Sequence, residues 1–132
     1  MDFSLGKEHK LCSTKIIDDV FDSGVHIKSY PFVAKFKEMV LPKDVSFQLV
    51  FSAPKRTFRK ATERNRIKRL CKEAFRLQKN DLDAYLKSQN KQLAIFLVYT
   101  PREELGIQLL ERRTEKLIKK IISQLESNDT TH

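Results

Sequence analysis

The stretch Ala61-Thr-Glu-Arg-Asn-Arg-Ile-Lys-Arg-Leu-Cys-Lys-Glu-Ala-Phe-Arg-Leu-Gln78 decides how the chain is read. Its apolar residues Ile67, Leu70, Cys71, Ala74 and Phe75 recur at the i, i+3, i+4, i+7 and i+8 spacing of one helix face. The spacing predicts an amphipathic helix over about residues 61–78. With Ile67 set to zero and about 100° per residue, the apolar stripe spans about −60° to about +80°. Lys68, Lys72, Asn65, Arg76, Arg69 and Arg66 fall between about 100° and about 260°, opposite the core. Arg64 stands near the edge of the stripe in the first turn, from which it can reach forward off the helix end.

The charge of the whole chain sits on and around this helix. Between Ala53 and Lys79 there are eleven basic residues: Lys55, Arg56, Arg59, Lys60, Arg64, Arg66, Lys68, Arg69, Lys72, Arg76 and Lys79. Only Glu63 and Glu73 oppose them, so the window carries the full formal charge of +9. The other residues hold equal numbers of acidic and basic side chains. Solvated helix faces ordinarily mix signs through i, i+4 pairs, and here almost no acid balances the cations. A phosphate array relieves that self-repulsion and releases counterions, so nucleic acid is the expected partner.

Outward from the helix, 132 residues with 40% hydrophobic content suit a single domain with one core, with ends at 1–10 and 126–132 that are expected to be flexible. Ser13 can cap a helix of about ten residues carrying Ile16, Ile17, Val20 and Phe21 on one side, with Gly24 as its stop. Residues 31–40 alternate Phe32, Ala34 and Phe36 against Val33, Lys35 and Lys37, and residues 46–52 alternate Phe47, Leu49 and Phe51 against Gln48 and Val50. Both read as half-buried antiparallel strands joined across residues 41–44. A short strand is expected around His26 to Lys28, and the unbroken apolar run Leu93 to Tyr99 suits a strand covered on both faces, giving three or four strands. A last helix is expected over Gln108 to Leu125, with Leu110, Leu117, Ile118, Ile121 and Leu125 inward.

Several function classes find no support. Cys12 and Cys71 lack zinc-site spacing, and His9, His26 and His132 share no motif with them, so both thiols are expected to be buried and Cys71 to face a core. No apolar run approaches the roughly 18 residues of a membrane span, and the charged N-terminus lacks a signal-peptide core, so a cytoplasmic location is expected. A peripheral membrane role would need the apolar helix face that the sheet must cover. The basic region has no nucleophile triad and no carboxylate cluster for two metal ions, as a self-sufficient nuclease requires.

Arg64-Asn65-Arg66-Ile67-Lys68-Arg69, on a basic helix that follows a strand, resembles the Arg-Asn-Arg signature of the bacterial ribonuclease P protein subunit family. The resemblance extends upstream to the Lys55-Arg56 pair, downstream to Cys71–Arg76 and back to the helix at residues 11–21. It implies an α/β fold, an α+β sandwich of helix, strands, helix, strand and helix like domains of ribosomal proteins. It also implies a left-handed crossover about the basic helix, against the usual rule for parallel connections. By the same resemblance the catalyst is a large RNA that removes the 5′ leader of precursor tRNA with Mg2+ held mainly by the RNA and substrate. The protein is then the accessory, monomeric subunit of that endonuclease, with ribonuclease P RNA and precursor tRNA as partners. A stand-alone ribosomal-type RNA-binding or assembly protein is the competing reading.

Position by position, the resemblance assigns Arg64, Asn65, Arg66, Lys68 and Arg69, with Lys72 beside them, to contact with the catalytic RNA. Lys55, Arg56, Arg59, Lys60 and Arg76 extend that basic surface. The family lays the single-stranded leader between the first helix and the sheet, where aromatics stack on bases. Phe21 matches one such aromatic; Ile17 replaces another, and a third falls at Lys35 or, with a one-residue shift, at Phe36. Spacing alone leaves Phe21 and Phe36 equally open to plain core packing. The loop at residues 57–63 is one residue longer than the family pattern and carries the extra cations Arg59 and Lys60.

Overall fold

A computed structural model describes residues 9–11, 13–42 and 44–130, so Cys12 and His132 lie outside the described residues. Helix α1 (Thr14–Ser23) begins at Ser13, whose extended backbone lets its Oγ accept from the Ile16 N–H at 3.3 Å. The helix stops at Gly24, whose N–H donates to the Val20 carbonyl at 2.9 Å. Close approach, not a left-handed backbone, requires glycine there. An added Cβ would stand 2.4 Å from Val20 O and 2.9 Å from Phe36 O.

The chain continues through β1 (Val25–Ser29), β2 (Phe32–Glu38), β3 (Phe47–Ser52), α2 (Ala61–Ser88), β4 (Leu93–Tyr99) and α3 (Ile107–Thr130). The four strands form one sheet in the order β1-β2-β4-β3. Strand β4 pairs antiparallel with β2 and parallel with β3. Residues 32–38 and 47–52 are therefore strands of opposite direction, as their pattern predicts, but they do not pair. β4 separates them because its seven-residue apolar run belongs at the centre of a sheet covered by helices.

Helices α2 and α3 pack on each other and cover one face of the sheet. Phe32, Phe36, Phe47, Phe51, Ile95 and Leu97 from the strands meet Ile67, Cys71, Phe75 and Leu82 from α2, and Leu110, Leu117 and Ile121 from α3. On the other face a smaller cluster joins Leu11, Val20, Leu41 and Ala94, with Ile16, Ile17, Val50 and Phe96 at its margin. Helix α1 thus covers only part of that face, and the expectation that both faces of β4 are fully covered fails at half-buried Phe96 and Val98.

The basic helix is ten residues longer than its first apolar stripe indicates. Leu82 and Leu86 prolong the buried face, and the end comes at Asn90, which takes the left-handed conformation (φ 54°). There the Lys91 N–H donates to Leu86 O at 2.9 Å and the Asn90 N–H to Lys87 O at 3.1 Å, a Schellman closure in which asparagine replaces glycine. Helix α3 buries all five residues expected to face inward and continues past Leu125 to Thr130.

Replacing Gly24 by alanine should lower the unfolding free energy by ~1–3 kcal/mol, because the atoms in the way are backbone carbonyls that cannot rotate aside. Urea unfolding of the two proteins measures it, and an unchanged midpoint would mean that the α1–β1 junction shifts freely.

Candidate nucleic-acid interface

Strands β3 and β4 run parallel, and α2 connects the end of one to the start of the other. The N-terminal half of α2, which carries the cations, therefore starts beside the C-terminal ends of both strands. The turn at residues 53–60 reaches it with Lys55, Arg56, Arg59 and Lys60 exposed. Phe58 anchors this turn: it is buried, with its ring 5.9 Å from that of Tyr99, and the Thr57 and Phe58 N–H groups both donate to Pro54 O. Arg64 closes the turn, its Nη1 donating to Phe58 O at 2.8 Å and to Arg59 O at 2.9 Å. Arg64 thus reaches back from the helix start and holds the longer loop in shape.

The other cations divide by partner. Arg66 Nε donates to Glu104 Oε1 at 2.5 Å, and Arg76 pairs with Glu73. The hydrogen bond from Arg76 holds the Glu73 carboxyl below its ordinary range and the guanidinium above its own. Both pairs are on the surface, so neither contributes much to stability. Among the described residues no ion pair engages Lys55, Arg56, Arg59, Lys60, Lys68, Arg69 or Lys72. Of these only Lys68 is partly buried, and Asn65 is exposed beside them. The result is a cationic face whose donors remain available to a polyanion.

The partly covered face of the sheet is a second surface. Strand pairing places Lys28, Val33, Val98 and Ser52 in one row across it, and His26, Lys35, Phe96 and Val50 in the next. Phe21 projects from α1 over this floor, 42% exposed, with its ring 4.7 Å from that of Phe96 and the Lys35 Nζ 4.3 Å from its centroid. Lys37 is tied to α1, donating to Asp19 Oδ1 and Ser23 Oγ at 2.8 Å each, and this hydrogen bond lowers the Asp19 pKa. Phe36 is a correction: it is fully buried on the opposite face, under α2 and α3, where no leader base can reach it. Lys35 therefore occupies the open-face position on β2, and Phe96 supplies the neighbouring aromatic. Phe96 escapes sequence reading because its run is apolar throughout, and only the β2–β4 register sets it opposite Lys35.

A cavity of about 1150 Å³ opens at the far end of the sheet, near Ser46, Lys79, Asp83 and Gln92. Its charges are neutralised internally, Lys87 pairing with Asp83 and Lys91 with Glu38 at 3.1 Å each. Burial pushes the Asp83 carboxyl up, but hydrogen bonds from Ser46 and Lys87 outweigh it and leave the group below its ordinary range. That cavity has no single-signed field to draw a polyanion. Among the described residues no three His, Cys, Asp or Glu side chains gather to hold a metal ion, and no helix is long and apolar enough to cross a membrane.

With this geometry in view, the family model described as Ribonuclease P matches residues 5–122. The chain belongs to the ribonuclease P protein family. It is 28% identical over 126 residues to the ribonuclease P protein component of Porphyromonas gingivalis, covering 96% of this chain and 92% of that one. A shorter match, 34% identical over 83 residues, is to the ribonuclease P protein component of Pseudoalteromonas translucida, covering 62% of this chain and 56% of that one. The fold is similar to the RNase P protein of Staphylococcus aureus (TM-score 0.67, 18% identity, covering 86% of this chain and 94% of that chain). It is also similar to that of Thermotoga maritima (TM-score 0.62, 19% identity, covering 84% and 96%). The protein is thus a subunit of the tRNA-processing ribonuclease, and ribonuclease P RNA is its implied partner.

Beneath the cationic face of this ribonuclease P protein, Cys71 is 1% exposed, and burial pushes its thiol up to about 12. Because the raised value keeps the thiol protonated, Cys71 should resist alkylation at about pH 8 in the native protein and react once urea unfolds it. Peptide mass mapping of the alkylated cysteine reads the outcome, and native labelling at Cys71 would contradict its burial.

Proposed function

We propose that the turn at residues 55–60 and the exposed face of α2 dock on the catalytic RNA, while the floor beside Phe21 takes the 5′ leader of precursor tRNA. The observation that carries this reading is the separation of two surfaces on one small fold. One is a cationic helix face on which, among the described residues, Lys68, Arg69 and Lys72 carry no ion pair beside the paired Arg66 and Arg76, and the other is an aromatic, partly open sheet face that begins at the same end of the molecule. Guanidinium forks suit paired phosphate oxygens, and rings that are accessible on one side suit unpaired bases.

In this reading Arg69, Lys72, Lys68, Lys55, Arg56, Arg59 and Lys60 neutralise phosphates, and Asn65 adds hydrogen bonds to the same strand. Arg64 shapes the loop from within, and Arg66 and Arg76 contribute after exchanging Glu104 and Glu73 for phosphate. Phe21 and Phe96 stack on leader bases, with Lys35 beside the Phe21 ring. In this reading the Mg2+ of the cleavage reaction is held mainly by the RNA and substrate. The protein's part is to bind and orient both RNAs, in the cytoplasm and as one subunit of the ribonucleoprotein.

The test is 5′ maturation of a leader-bearing precursor tRNA by the cognate catalytic RNA, with and without the protein, at near-physiological magnesium. Strong protein-dependent cleavage at the mature 5′ end is expected; RNA binding without stimulation would favour a stand-alone ribosomal-type role. Arg69→Ala should weaken binding to the catalytic RNA by ~1–2 kcal/mol and flatten the salt dependence by about one phosphate contact. Filter binding across a salt series measures both. Phe96→Ala should cost ~1–3 kcal/mol of affinity for leader-bearing precursor and leave binding of mature tRNA unchanged. An equal loss on both tRNAs would remove Phe96 from the leader path.

A further inference from the structure

The open sheet face does not end at the aromatic floor. Its outer row runs from Val98 to Val33 to Lys28 on β1, the edge strand, and the next turn of chain carries Tyr30. Tyr30 is 51% exposed, and the Arg113 guanidinium of α3 lies over its ring, 5.6 Å from the centroid. Lys120, about two turns further along the same face of α3, wraps the same edge and donates from Nζ to the Lys28 carbonyl at 3.1 Å. Among the described residues Lys28, Arg113 and Lys120 form no ion pair.

We propose that the single-stranded leader continues from the Phe21–Phe96 floor across the β1 edge to a second stacking position on Tyr30, with Lys28, Arg113 and Lys120 following its phosphates. This rests on the reading that the leader occupies that floor. A half-exposed tyrosine with a guanidinium over its ring offers the aromatic and cationic groups with which proteins hold unpaired bases without sequence preference. A plain surface brace between the turn and α3 would not need three cations without acidic partners along one edge. The separation also fits an extended strand. From Phe96 to Tyr30 the path crosses two strand spacings, ~10 Å, and runs four residues along β1, ~13 Å, a span of a few nucleotides. The continuation follows the leader away from the cleavage site, so it makes binding depend on leader length and not on the tRNA body.

The experiment is a leader-length series. The affinity of the reconstituted holoenzyme is measured for precursor tRNAs whose leaders grow one nucleotide at a time from none, with wild-type protein, Tyr30→Ala, Tyr30→Phe, Arg113→Ala and Phe21→Ala. Wild-type affinity should rise once as the leader fills the floor and again when it reaches Tyr30. Tyr30→Ala should abolish the second rise, binding long leaders about tenfold more weakly and short ones as wild type does. Tyr30→Phe should keep the second rise, Arg113→Ala should reduce it, and Phe21→Ala should lose the first. If Tyr30→Ala follows the wild-type curve at every length, or loses equally with no leader, while the Phe21-dependent rise stands, the second position is overturned and the floor reading survives. A wild-type curve flat with leader length would overturn both.

Discussion

The constraint on which the structure depends is the placement of β4 between β2 and β3, parallel to the latter. A parallel pair cannot be closed by a hairpin, so the chain must return along the sheet, and α2 is that return. Once α2 is the crossover, its apolar stripe has to lie on the sheet, and its N-terminal half has to start where β3 ends. The cations are then held out to solvent by the burial of Ile67, Cys71, Ala74 and Phe75 on the opposite side. The same insertion of β4 lays Phe96 beside Lys35 and brings the floor of the open face under Phe21. Both surfaces therefore follow from one topological choice.

Holding like charges together on one face costs self-repulsion, and the fold meets that cost with anchoring at both ends of α2. At the start, Phe58 is buried against Tyr99 and Arg64 binds two loop carbonyls. At the far end the Asn90 closure satisfies the last carbonyls, and the sequence there returns to mixed charge, with Asp83 and Lys87 paired. Tyr99 reinforces the first anchor. Its hydroxyl donates to Glu103 O at 2.6 Å and accepts from the Leu105 N–H at 3.0 Å, which fixes the loop that carries Glu104 to Arg66. The cationic segment is thus anchored at its root and only partly neutralised along its exposed side, and phosphates supply the missing opposite charge most directly.

The elements were legible wherever one periodicity ran long enough. Ser13 and Gly24 bound α1 as the sequence indicates, the alternation of Phe32, Ala34 and Phe36 marks their inward face, and Leu110 through Leu125 line the buried side of α3. Pairing was not legible, because local pattern carries no information about which strand is the neighbour. Residues 32–38 and 47–52 read as a hairpin until β4 is known to lie between them. The end of α2 was missed because Gln78, Lys79, Asn80 and Asp81 interrupt the stripe, although Leu82 and Leu86 resume it and Lys79 itself is buried. The basic face, being a property of one helix, could be read whole. The aromatic floor, assembled from α1, β2 and β4, could not, and that is why the sequence points to Lys35 or Phe36 on β2 and passes over Phe96 on β4.

The exchange of an aromatic for Lys35 has a physical consequence for the open face. The ammonium of Lys35 over Phe21 keeps that ring oriented by its quadrupole. Phe96 meets the same ring at a tilt of 58°, so its own face is not covered by parallel stacking. Phe21 is thereby held from two sides yet stays 42% exposed. A lysine in this position also brings positive charge beside the Phe21 and Phe96 rings, so that in the proposed reading stacking and phosphate attraction meet at one point. An aromatic on β2 would supply only the first.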